Sequence, residues 1–181
     1  VGAWAVLSGE TAFEAVKLAT IRIIPIMLSI LSAVFLYLLA KNEYGEKIAR
    51  WSLAIFATAT IIVVNNRVAV AESLFTSIVL IALWMLTVNT KKSHRWPYIT
   101  IGLLCAAAIL TKVLGLVVWL SVVAILWLRR SSVRNIVYVT IGALLGGAAF
   151  YLYGAVFDEK LFWAIQSYQG TNRVLGPNTI W

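Results

Sequence analysis

A chain of 181 residues that is 62% hydrophobic, only 12% charged and of mean hydropathy +0.92 falls well outside the composition of soluble domains. It reads as an integral membrane protein, so its net charge of +8 belongs to loops at a membrane face rather than to nucleic-acid binding. One cysteine, Cys105, within an apolar run leaves no disulfide framework and no cysteine metal site.

The chain opens on Val1 without Met or a basic leader and closes on Trp181 in what reads as mid-loop sequence, so it is expected to be a fragment. Residues 1–20 are semi-polar. Glu10, Glu14 and Lys17 stand three to four apart among apolar residues, which predicts an amphipathic segment lying along the extracytoplasmic surface. Arg22 heads the first clear span, Ile23–Ala40, with Pro25 in its first turn, where a missing N–H does no harm. Lys41–Arg50 reads as a short polar loop, and Trp51–Val64 as the second span.

The run from Trp51 to Val88 would extend about 57 Å as one helix, nearly twice a hydrocarbon core of about 30 Å. It must therefore fold back, and Asn65-Asn66-Arg67 is the polar place to do so. Glu72 then lies just over one turn into the returning span, Val68–Val88. A carboxylate near a membrane face is costly unless it meets protein, water or a cation, which makes it a candidate functional group.

Asn89–Pro97 is basic, with Lys91, Lys92 and Arg95; His94 within it reads as a solvated loop residue. Tyr98–Leu128 is again too long for one upright crossing, at about 46 Å. Breaking it near Thr111, Lys112 and Gly115 puts Lys41–Arg50, Asn89–Pro97 and Arg129–Asn135 on one side, as the positive-inside rule requires. Lys112 then shares the opposite face with Arg67 and Glu72. The sixth span, Ile136–Phe157, carries Gly142, Gly146 and Gly147 as a close-packing face. Residues 158–181 read as the start of an extracytoplasmic loop.

The expectation is an all-α, polytopic transmembrane helical bundle of about six spans over residues 21–157, several of them short and paired as hairpins. Arg22, Arg67, Glu72, Lys112, Asp158, Glu159 and Arg173 gather on its outer face. Convergent cations there suit a phosphate or pyrophosphate, to which Arg offers a bidentate fork and Lys a point charge. Each also has a plainer reading: Arg22 can snorkel to lipid phosphates, Asp158 and Glu159 can be ordinary interfacial polarity, and Arg67 can pair with Glu72. No phosphate-binding glycine loop, dinucleotide fingerprint, zinc motif or Ser-His-Asp arrangement is present, and neither a metal nor a cofactor is implied.

Taken in order, A-T-I-R-I, Y-L-L-A-K, N-R-V-A-V-A-E-S-L, a basic loop ending R-W, and I-G-L-L-C-A-A-A-I-L-T-K-V-L-G form a recognisable series. The chain resembles, from about Leu7 to Trp127, the polyprenyl-phosphate-dependent membrane glycosyltransferases of the GT-C class. Within it, the bacterial and archaeal relatives of protein O-mannosyltransferase and lipid A aminoarabinose transferase are the branch it resembles. The resemblance implies transfer of a sugar from a polyprenyl-phosphate carrier to a protein, lipid or glycan acceptor, at a cell membrane and on its periplasmic or exterior face. It implies that Arg67, Glu72, Lys112 and Arg173 bind substrate, and that the catalytic aspartate lies upstream of residue 1. A secondary transporter, or a non-catalytic scaffold or lipid-flipping subunit, is the competing reading; the first wants charges near the midplane and an internal repeat.

Overall fold

In the computed structural model the backbone is described for residues 18–59, 70–89, 95–112 and 114–174, and the expectations for residues 1–17, Arg67 and His94 fall outside these. Six helices are described: α1 (Leu18–Tyr44), α2 (Glu46–Thr58), α3 (Val70–Asn89), α4 (Arg95–Thr111), α5 (Gly115–Leu128) and α6 (Val133–Val174). There is no strand among the described residues, and the chain is an all-α membrane bundle. Ile23–Tyr44, Ala71–Asn89 and Val133–Gly154 are long and apolar enough to cross a bilayer; α4 and α5 are shorter apolar helices.

Side-chain pairings fix the helix directions. Ser32 bonds Ser77 at 2.8 Å and Phe35 meets Trp84 edge-on at 5.1 Å, so α1 and α3 run parallel. The Tyr98 hydroxyl donates to the Asn89 carbonyl at 2.9 Å, and Lys112 reaches back to Glu72, so α3 and α4 run antiparallel. Gly115 packs on Ala108 while Leu126 shares a buried cluster with Tyr98, which makes α4 and α5 an antiparallel hairpin.

α4 and α6 approach most closely, and they do so through glycines. A methyl group on Gly102 would overlap the Val139 carbonyl, and one on Gly142 would overlap that of Ile99. Gly146 faces the Ala106 methyl in the same way. The pairs 102 with 142 and 106 with 146 define a parallel register, which small residues permit because lipid supplies no hydrophobic drive and contact area must come from close approach. Gly147, the third glycine expected on this face, points into open space.

One end of the bundle collects the basic segments. Arg129 pairs with Glu43 at 2.7 Å, which ties the end of α5 to the end of α1, and Tyr98 ties α4 to α3 at the same level. Trp51, Trp96 and Trp127 are all more than 60% exposed at this end, the placement of an interfacial aromatic belt. The largest buried side chains, Tyr98, Leu86, Ile101, Leu126, Val122 and Val139, lie toward this end and the middle.

Three expectations need correction. Helix α1 begins at Leu18, so Pro25 sits inside it and removes the bond to the Ile21 carbonyl instead of capping a first turn. The loop expected at Lys41–Arg50 shrinks to one residue, Gly45, whose φ of 87° reverses the chain between two helices. Helix continues through residues 158–174, where a loop was expected. It is not straight. Phe150 and Phe162 lie 5.4 Å apart and Tyr151 and Trp163 6.1 Å apart, whereas twelve residues of straight helix separate two positions by about 18 Å. The axis therefore folds sharply between them, with Gly154 pressed against the Phe162 ring on the inside of the bend.

Gly142→Ala is expected to cost about 1–3 kcal/mol, because the new methyl must push α4 away. Gly147→Ala should be neutral or stabilising by up to about 1 kcal/mol, since it only improves helix propensity. Thermal unfolding of both variants in detergent checks the contrast, and equal losses would contradict this packing.

Candidate functional site

Glu72 lies in the first turn of α3, where the unpaired N–H groups of a helix start favour negative charge. Lys112 follows the last residue of α4, where the unpaired carbonyls favour positive charge. Because the two helices are antiparallel neighbours, these ends meet, and the Lys112 ammonium donates to Glu72 Oε1. The pair is neither sealed nor free: the lysine side chain is 29% exposed and the carboxylate 40%.

Local geometry explains why the lysine stands there. The Lys112 N–H closes the last turn on the Ala108 carbonyl at 2.9 Å, and the Gly115 N–H bonds the Lys112 carbonyl at 2.7 Å. The chain thus reverses between α4 and α5, and α5 starts against the backbone of Ala108 and Ile109. Any side chain at Gly115 would overlap that backbone, so the glycine of L-T-K-x-x-G is what lets the turn close and hold Lys112 at the helix end. Thr76 and Thr111 back-bond to the Glu72 and Ala107 carbonyls at 2.9 and 2.7 Å, so each hydroxyl is engaged by its own helix.

Of the residues singled out from sequence, Glu72 and Lys112 are brought together. Arg67 lies outside the described residues. Arg22 and Arg173 fall on described helix, α1 and α6, but their side chains lie outside the described ones, as does that of Asp158. Glu159 is exposed just beyond the α6 bend. Extending the register of α4 on α6 puts Phe150–Leu152 level with Leu110–Lys112, so an aromatic group of Phe150, Tyr151, Phe162 and Trp163 stands at the depth of the ion pair. The sequence reading passed over this group because its members are up to thirteen residues apart and meet only across the bend.

Two shallow grooves lie at the opposite, basic end, one along Glu46, Lys47, Arg50, Trp51 and Ala54, the other along Trp127, Leu128, Arg130, Ser131 and Val133. Neither reaches Glu72 or Lys112. No group of three or more His, Cys, Asp or Glu suited to a metal occurs among the described residues.

What this end of the bundle offers chemically is an ammonium with three donors, one engaged by a carboxylate. Gly115→Ala is expected to destabilise by about 1–3 kcal/mol and to loosen the Lys112–Glu72 contact with it. A double-mutant cycle between Lys112→Ala and Glu72→Ala, read by thermal unfolding, should give coupling of up to about 1 kcal/mol in the native background. In the Gly115→Ala background the coupling should fall toward zero; undiminished coupling would dissociate the glycine from the placement of the lysine.

Comparison with known proteins adds a family. The family model described as dolichyl-phosphate-mannose-protein mannosyltransferase matches residues 1–153. No curated protein and no solved structure matches the chain.

Proposed function

The chain belongs to the dolichyl-phosphate-mannose-protein mannosyltransferase family, and from that membership we propose that it forms the lipid-phosphate side of a sugar-transfer centre. The family is one of membrane glycosyltransferases of the mannosyltransferase type. The donor is a sugar on a polyprenyl phosphate, the acceptor a protein, lipid or glycan group, and the reaction faces the periplasm or cell exterior. The observation that supports this best is the ion pair of Lys112 with Glu72 at the end of the bundle remote from the basic segments.

The transfer is an inverting displacement. The acceptor oxygen forms a bond to the anomeric carbon while the bond from that carbon to the phosphate oxygen breaks, and the electron pair departs with the phosphate. The acceptor's proton passes to a general base, a role assigned to none of the residues named here. As negative charge grows on the leaving phosphate, fixed cations at the interface stabilise it more than they stabilise the bound donor, which is what accelerates the step. Lys112 supplies one such cation, with donors left over after its bond to Glu72. Arg67 and Arg173 supply the others. Glu72 positions the ammonium and leaves the phosphate to it.

In the full-length protein, Lys112→Ala should lower transfer from a radiolabelled polyprenyl-phosphate sugar by about 100-fold or more, as removal of a group that binds developing charge does elsewhere. Glu72→Gln should cost less, because it removes a positioning contact and leaves the cation. The double variant should be no slower than Lys112→Ala alone, since the two act as a unit. Wild-type turnover by a folded Lys112→Ala protein would overturn the assignment.

A further inference from the structure

The basic end of the bundle carries a second feature, which the sugar-transfer reading does not use. Helix α5 ends in a left-handed cap: Arg130 has a φ of 50°, its N–H bonds the Trp127 carbonyl at 3.0 Å, and the Ser131 N–H bonds the Leu126 carbonyl at 3.0 Å. Glycine is the usual residue at that position, because a side chain there meets the preceding carbonyl. An arginine holds it instead. Beside it runs a groove of about 590 Å³ lined by Trp127, Leu128, Arg130, Ser131 and Val133.

Charge here is out of balance. Arg129 is neutralised by Glu43. Arg130 and Arg134 are exposed and make no ion pair among the described residues, and the first turn of α6, which contains Arg134, has no acidic residue. The groove's other walls are apolar: Trp127, Leu128 and Val133 are each more than 60% exposed, a poor surface for water and a good one for acyl chains. The neighbouring groove on α2, of about 540 Å³, differs in that its acid is already spent. Glu46 pairs with Arg50 at 2.8 Å and with Lys41 at 3.3 Å, and the Arg50 hydrogen bond, then Lys41, hold its carboxyl below the usual range.

We propose that the α5–α6 groove is a binding site for an anionic phospholipid. Arg130 meets its phosphate, Arg134, next in sequence to the lining residue Val133, adds unpaired positive charge, and Trp127, Leu128 and Val133 receive the first carbons of its chains. The occupant is a membrane lipid and not a soluble phosphate because Arg130 and the apolar walls line one groove at the level of the tryptophan belt, where a headgroup and its chains part company. The site does not depend on the sugar-transfer reading.

Brominated lipids quench tryptophan on contact, so the chain is reconstituted into phosphatidylcholine vesicles that contain a minor fraction of brominated phosphatidylglycerol or, in parallel, brominated phosphatidylcholine. The Trp127→Phe variant isolates the share of the signal that belongs to Trp127. The anionic lipid should quench Trp127 more than the zwitterionic one at equal mole fraction. Arg130→Gly and Arg134→Gln should each reduce that relative affinity about fivefold, and Lys47→Gln, in the other groove, should leave it unchanged. Arg130→Gly places the preferred residue in a left-handed position, so its helix content and thermal stability should match or exceed those of the parent. Equal quenching by the two lipids, indifference to both arginine variants, or relief of quenching by millimolar inorganic phosphate would each overturn the proposal.

Discussion

A bilayer about 30 Å thick cannot accommodate Tyr98–Leu128 as one upright helix, and the reversal at Lys112–Gly115 is how the chain resolves the conflict. Breaking a helix in lipid exposes backbone groups that water cannot satisfy. Three bonds reduce that cost here: Lys112 N–H to Ala108, Gly115 N–H to Lys112 and Val117 N–H to Leu114. A bare Cα at Gly115 lets the new helix start in contact with the old one. From this reversal follow the direction of α5, the parallel register of α6 on α4, and the return of Arg129–Ser132 to the level of Glu43 and Asn89.

The same reversal sets the electrostatics of the end that carries Glu72 and Lys112. Antiparallel neighbours bring the start of one helix beside the finish of the other, so Glu72 and Lys112 each sit where their own helix favours them, and each also finds the other. At the basic end the logic differs. Glu43 is near the finish of α1 and Arg129 just past the finish of α5, so the dipoles support only the arginine, and the acid is held by the pairing itself. The two pairs are exposed to a similar degree, so they differ in the helix ends: both charges of Glu72–Lys112 are favoured there, and only the arginine of the other pair is.

Much of this was legible from charge and length. Counting residues against membrane thickness located the break at Lys112–Gly115, and requiring the basic loops to share a side brought Glu72 and Lys112 to one end. Helix-helix contacts were harder to read. Gly142 and Gly146 declare a close-packing face, but the matching Gly102 is an isolated glycine in an apolar run, and nothing local marks it as their partner. The single-residue turn at Gly45 was hidden by its polar neighbours, which read as a loop although Lys41, Glu46 and Arg50 are helical residues paired with one another. The α6 bend escaped for a related reason: Asp158-Glu159 reads as the end of a span, whereas the rings of Phe150, Tyr151, Phe162 and Trp163 gather across it and keep the chain helical.

The two ends of the bundle are packed with different materials, and this bears on where the helices part most readily. Large buried side chains and the Tyr98–Asn89 bond hold the basic end and the middle, whereas toward the other end the buried residues, among the described ones, are small: Ser73, Ser77, Ala108 and Gly115. Helices that meet through small residues sit close but bury little apolar surface per contact, so they separate at lower cost than interlocked Leu and Tyr do.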